Sequence, residues 1–162
     1  MRSRVLLTAA AAAAALFGAA CGGSTPSTAA ASPSPSPAAS PAGTNATIAV
    51  ATSKLGQILV DGKGITVYLF VADTGTSSTC NTACATVWPP VLTTGAPQAG
   101  TGATASLLGT TTRTDGTIEV TYAGHPLYYF VQDKSPGDTT GQGVNSFGAL
   151  WWVLSPSGAA IH

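Results

Sequence analysis

A small all-β domain, antiparallel and built from two pseudo-symmetric hairpin repeats, is the fold class this sequence predicts, and three observations predict it. Residues 56–73 align without gaps to residues 116–133, with eight of 18 positions identical, and similarity at a fixed offset marks duplicated supersecondary units. Ile118, Val120 and Tyr122 alternate with Glu119 and Thr121, the period-2 pattern of a strand with one face buried. Asp61-Gly62-Lys63-Gly64 is turn chemistry, with glycine free to take positive φ.

Taken in order, residues 1–21 read as an export signal. Arg2 and Arg4 form a positive start, and the 16 residues 5–20 carry no charge. That run is short for a membrane span, which takes about 20 apolar residues. Gly18-Ala19-Ala20 followed by Cys21 is the order of a bacterial lipoprotein signal, with Gly18 where Leu is usual. The expectation is lipid attachment at Cys21 and anchoring to the membrane from outside the cytoplasm. Ordinary secretion with an Ala-x-Ala-like cleavage is the alternative.

Residues 22–45 read as a disordered linker. Its first 23 residues are only Ala, Ser, Pro, Gly and Thr, five of them Pro. With no large apolar side chain, nothing offsets the entropy of ordering. At about 3.1 Å per residue in polyproline II, the tether reaches up to roughly 70 Å.

Charge narrows the partners. Of 162 residues only 7% are charged and the net charge is zero. Without residues 1–21, four Lys or Arg face six Asp or Glu, a net −2. No basic stripe is present, so a nucleic-acid partner is not expected.

The duplicated domain spans residues 46–162, with repeat 1 at about 50–92 and repeat 2 at about 108–155. Residues 47–51 are read as a further strand, and about eight strands are expected. Residues 65–71 and 127–131 are nearly all apolar and read as central strands buried on both faces. Residues 79–88 are the best helical candidate, a short turn near 80–87 stopped by Pro89-Pro90. Residues 93–105, rich in Gly, Thr and Ala, read as a connector.

With Cys21 taken by lipid, Cys80 and Cys84 remain, an even number in an oxidising compartment. Four residues apart on a helical turn, their Cα atoms would lie about 6 Å apart, within disulfide range. Free buried thiols are the alternative. Two Cys without a nearby His do not make a zinc site.

Tyr68-x-Phe70-x-x-Asp73 and Tyr128-x-Phe130-x-x-Asp133 resemble the Yx(F/W/Y)xxD motif of a bacterial family of predicted lipoproteins, a secreted repeat of unknown function. The resemblance covers about residues 50–155. It includes Cys80-x-x-x-Cys84, Trp88-Pro89-Pro90, Pro136-Gly137-Asp138, Gly141-Gln142-Gly143 and Trp151. It implies an envelope location and carries no activity with it.

The motif also has a physical reading. On a strand, Tyr68 with Phe70, and Tyr128 with Phe130, point to one face and form an aromatic core. Asp73 and Asp133 follow their strands, where a carboxylate accepts backbone N–H groups and fixes the next loop. The alternative is that symmetry brings the two Asp together in a cleft, to bind a cation or do acid–base chemistry. Trp151 and Trp152 point to opposite faces, so one of them is a candidate for stacking on a ligand. His125 precedes Pro126 at a strand start and reads as an exposed turn residue. No G-x-S-x-G elbow is present, and residues 100–105 match G-x-G-x-x-A without the strand and helix that motif needs. No cofactor, metal or catalytic residue is expected. The expectation is a non-enzymatic envelope module with an unknown envelope ligand or protein partner. The alternatives are a metal-dependent or hydrolytic protein using Asp73 and Asp133, or a purely structural domain.

Overall fold

In a computed structural model, which describes residues 45–162, two β-hairpins begin the two repeats. The first joins β1 (Thr47–Ser53) to β2 (Gly56–Asp61), followed by β3 (Tyr68–Phe70), the helical turn α1 (Ala83–Val87) and the short strand β4 (Gln98–Ala99). A 3₁₀ turn at Ala105–Leu107 leads into β5 (Leu108–Thr112), β6 (Ile118–Tyr122), β7 (His125–Pro126), β8 (Asn145–Ser146) and β9 (Ala149–Val153). The fold is all-β apart from α1 and the 3₁₀ turn. Its sheets run β2-β1-β4, β3-β9-β8 and β5-β6-β7.

The ungapped alignment of the repeats hides two compensating loop changes. In repeat 1 only Lys54 and Leu55 separate the paired Ser53 and Gly56. In repeat 2, three residues, 114–116, lie between Arg113 and Thr117, whose carbonyl accepts the Arg113 N–H. The next turn reverses this. Three residues, 62–64, lie between Asp61 and Ile65, but only Ala123 and Gly124 lie between the paired Tyr122 and His125. Ala123 and Gly124 both have positive φ, 50° and 85°, as a two-residue hairpin turn matched to strand twist requires.

Between these turns β6 is shifted by one residue relative to β2. Ala51 pairs with Ile58, and its counterpart Thr111 pairs with Glu119. Because side chains alternate, a one-residue shift exchanges faces. Glu119 therefore takes the place of Ile58 and is fully buried, while Ile118 is 39% exposed. The expected pattern for β6, with Ile118 inside and Glu119 outside, is thus overturned. Glu119 through Tyr122 are all buried.

The repeats meet through their motif segments. Tyr68 and Tyr128 exchange both backbone hydrogen bonds, at 2.8 and 3.0 Å, and this pair marks the pseudo-two-fold axis. Each motif segment then bonds to the closing segment of the other repeat. β3 runs antiparallel to β9, with Tyr68 opposite Val153 and Phe70 opposite Trp151. On the other side of the axis the Tyr129 N–H donates to Pro89 O at 2.8 Å and the Val131 N–H to Val87 O at 3.1 Å. The β3-β9-β8 sheet is thus built from both repeats.

Two apolar clusters result. One joins Ile48, Leu59, Val67, Leu69, Val91 and Val120, among others. The second is aromatic. Phe70 stacks on Trp151 at 4.1 Å, Trp151 on Trp88 at 4.0 Å, and Trp88 on Phe130 at 4.2 Å. Four rings thus form one column, with each Trp contributed by one repeat and a Phe of the other stacked on it. Each such pair adds about 0.5–1.5 kcal/mol beyond the area it buries.

Candidate functional site: crossed tyrosine–aspartate latches

Both motif aspartates are buried, Asp73 at 7% exposure and Asp133 at 8%. Each binds the tyrosine of the other repeat. The Tyr68 hydroxyl donates to Asp133 Oδ2 and the Tyr128 hydroxyl to Asp73 Oδ2, both at 2.6 Å. The second oxygen of each carboxylate holds the loop that follows it. Asp73 Oδ1 accepts the Thr79 N–H at 2.7 Å and the Thr79 hydroxyl at 2.6 Å. Asp133 Oδ1 accepts the Thr140 N–H at 3.0 Å and the Thr140 hydroxyl at 2.5 Å. Every oxygen of the two carboxylates is therefore engaged.

The phenols are fixed as donors. Burial raises the Tyr68 hydroxyl pKa, and the bond to Asp133 raises it further. Burial also raises that of Tyr128, followed by the charge of Glu119 and the bond to Asp73. A phenol that stays protonated keeps donating to a carboxylate, and hydrogen bonds to charged groups are worth roughly 1.5–3 kcal/mol each. Each phenol also takes part in a second bond. The Gly141 N–H donates to the Tyr68 oxygen at 3.2 Å, and Ser78 Oγ lies 2.7 Å from the Tyr128 oxygen. Gly141 has no room for a side chain: a Cβ there would lie 2.8 Å from Trp88 and 2.9 Å from Tyr68.

Ser78 links the second latch to a buried ion pair. Arg113 Nη1 donates to Glu119 Oε2 at 2.7 Å and to Ser78 Oγ at 2.5 Å. Its Nη2 donates to Cys80 O at 2.7 Å and Asn81 Oδ1 at 3.2 Å. Burial pushes the Glu119 carboxyl up to about 7, against the opposing pull of Arg113. Burial draws the Arg113 pKa down, but the Glu119 hydrogen bond and charge outweigh it and leave it raised. Glu119 Oε1 has no hydrogen-bond partner among the described residues.

Arg113 thus clamps the loop that carries the Cys80–Cys84 disulfide, whose Cα atoms are 5.2 Å apart. The bond answers the cysteine question left open by the sequence. α1 covers only part of the helical segment expected over 79–88.

The remaining sequence-derived residues fall as follows. Tyr68, Phe70, Tyr128 and Phe130 are buried in the core. Trp151, fully buried in the ring column, is unavailable to a ligand. That corrects its candidacy, because strand alternation turns it inward. Trp152 is half-buried with its ring edge-on to His162 at 4.7 Å. His125 is half-buried and paired in the β6–β7 hairpin. No group of three or more metal-ligating side chains occurs among the described residues. Cys21 and linker residues 22–44 lie outside the described residues.

Sequence reasoning missed Thr79, Thr140, Ser78, Arg113 and Glu119. The two threonines carried a signal, since each follows its motif Asp by six or seven positions. The ion pair carried none, because only the shift of β6 buries Glu119.

Fold and site together define a two-repeat β-domain in which a duplicated motif locks each half to the other. The chain belongs to a family described as a secreted repeat of unknown function, which it matches over residues 49–92 and 109–155, more than half its length. That family places it outside the cytoplasm. No curated protein and no solved structure matches it.

Proposed function

We propose that this protein is a lipid-anchored module of the cell envelope, tethered through Cys21 and the residue 22–45 linker, whose domain is a non-enzymatic binding or interaction head. The observation that carries the non-enzymatic reading is the saturation of the motif. All four oxygens of Asp73 and Asp133 accept hydrogen bonds from Tyr, Thr or backbone groups of the domain itself. A carboxylate so engaged is a scaffold element rather than a free ligand or base. The family's description as secreted supports the location, and the Gly18-Ala19-Ala20-Cys21 order supports the anchor.

Two measurements test this reading. Wild-type chain should fractionate with membranes and carry a lipid adduct in its intact mass, and Cys21→Ser should be released, since stable anchoring takes more than one acyl chain. Wild-type protein free in the medium without lipid would refute the anchor. For the head, Ca²⁺, Mg²⁺, Mn²⁺ or Zn²⁺ should leave the melting temperature unchanged. A metal-induced rise that Asp73→Asn or Asp133→Asn abolishes would favour a metal site instead.

A further inference from the structure

We propose that a polar hollow beside the Asp61–Lys63 turn is a binding site for a neutral saccharide unit, an inference that rests on the reading of the domain as a binding head and names its ligand class. The hollow holds about 350 Å³ and is lined by Asn45, Thr47, Asp61, Lys63, Leu92 and Tyr129, among others. Small-molecule sites span about 300–1,000 Å³. None of its lining residues belongs to a latch or to the ring column.

The duplication supplies an internal control. In the ungapped alignment Asp61 and Lys63 stand opposite Thr121 and Ala123, and Tyr129 stands opposite Leu69. Thr121 and Leu69 are buried. Repeat 2 thus turns its chain here without Asp or Lys, and repeat 1 fills the place of Tyr129 with an apolar side chain. The duplicated architecture closes without these polar groups, yet all three meet at one hollow.

Their hydrogen bonds leave the set open to a ligand. Asp61 Oδ1 accepts the Lys63 and Ile65 N–H groups at 2.8 and 2.9 Å, which fixes the carboxylate. Asp61 Oδ2 accepts only the Tyr129 hydroxyl, at 3.2 Å, and keeps capacity for another donor. Burial raises the Tyr129 pKa and the charge of Asp61 raises it further, so the phenol stays protonated. The side chains of Asn45, Thr47 and Lys63 have no hydrogen-bond or ion-pair partner among the described residues.

A saccharide matches this arrangement. Each of its hydroxyls both donates and accepts, and so can bond to a carboxylate, a carboxamide and an ammonium within one small space. Asp61 and Lys63 balance in charge, so the hollow selects no net charge. Leu92, 47% exposed, and the Tyr129 ring offer apolar surface on which the C–H face of a pyranose packs. A phosphate ligand would call for more than the single cation that lines this hollow.

Amide chemical shifts of the full chain, followed by NMR, test the site with glucose, galactose, mannose, N-acetylglucosamine and their trisaccharides as probes. At least one probe should give saturable shifts confined to residues 45–47, 61–63, 92 and 129. Lys63→Ala, which copies the counterpart Ala123, and Tyr129→Phe, which removes only a hydroxyl, should each weaken that binding by about threefold to tenfold, the worth of one hydrogen bond. Both should keep the near-ultraviolet circular dichroism of the ring column. The absence of saturable shifts with every one of these probes overturns the proposal, and so does binding that both variants leave intact. Shifts at the same amides with zwitterionic glycine but with no sugar would assign the hollow to zwitterions and also overturn it. These failures strike the saccharide site alone, whereas a metal-induced rise in melting temperature that Asp73→Asn abolishes strikes the binding-head reading itself.

Discussion

The two repeats trace the same path and close the same latch, yet they stabilise the surroundings of that latch by different means. Near the axis they agree closely: both Tyr–Asp bonds are 2.6 Å, and Trp88 and Trp151 lie 2° from parallel. Away from it they part. Repeat 1 buries Ile58 and ties its loop with a disulfide. Repeat 2 buries Glu119 in the equivalent place, neutralises it with Arg113, and forms the β8–β9 hairpin where repeat 1 has α1. The difference teaches that shared contacts at the axis constrain both copies together, whereas positions each copy fills alone are free to diverge. The divergence is still coupled, because Arg113 of repeat 2 holds the disulfide loop of repeat 1.

Breaking the ion pair should have the largest effect. Arg113→Met leaves Glu119 buried without its counter-charge and should destabilise the domain by about 3–5 kcal/mol in urea unfolding. Arg113→Met with Glu119→Ile, which gives repeat 2 the residue of repeat 1, should lose less than either single change. A double mutant that loses the sum of the two would show that the pair is not coupled.

The same pair sets a pH dependence at a place where repeat 1 has the non-titrating Ile58. The Glu119 carboxyl is raised from 4.5 to about 7, so the folded state holds this proton more tightly than the unfolded chain. Its contribution is fully present below about pH 4.5 and is lost as pH rises toward 7. Melting across that window should show stability falling by a few kcal/mol, a slope that Glu119→Gln removes. An unchanged slope in Glu119→Gln would assign the effect elsewhere.

The crossing of the latches is sharpened by two double-mutant cycles. Tyr68→Phe, Tyr128→Phe, Asp73→Asn and Asp133→Asn should each destabilise by about 1–3 kcal/mol. Tyr68→Phe with Asp133→Asn joins different repeats but one hydrogen bond, and should show coupling of at least about 0.5 kcal/mol. Tyr68→Phe with Asp73→Asn lies within one repeat and should be additive to within roughly 0.5 kcal/mol. The reverse result would place the latches within repeats.

The smallest effect belongs to the disulfide. Cys80→Ala with Cys84→Ala should lower stability by about 2 kcal/mol or less, because the closed loop is so short. The reduced chain should keep its ring column, checked by near-ultraviolet circular dichroism.

Much of this was legible in the sequence. The repeat gave away the pseudo-symmetric β fold, and the motif spacing marked Tyr68, Phe70, Asp73 and their counterparts as a unit. Its partners were not legible, since each motif reads as a local strand and loop while its hydrogen bonds reach 55 and 65 residues along the chain. The inversion of Ile118 and Glu119 was hidden because two loop changes cancel in the alignment. β4 was hidden for a different reason: residues 98–99 have no strand pattern, and they form a strand only because β1 offers an edge.

The crossed latches also dictate when the molecule becomes itself. A hairpin such as β1–β2 forms from neighbouring residues, but Asp73 waits for Tyr128, and Tyr68 for Asp133. Contacts so far apart in sequence form late and slowly. The leading half by itself lacks the strand that pairs with β3 and two of the four rings of the column. A chain cut between the repeats therefore keeps the motif of its first half and loses both latches, since each needs one residue from either side of the cut.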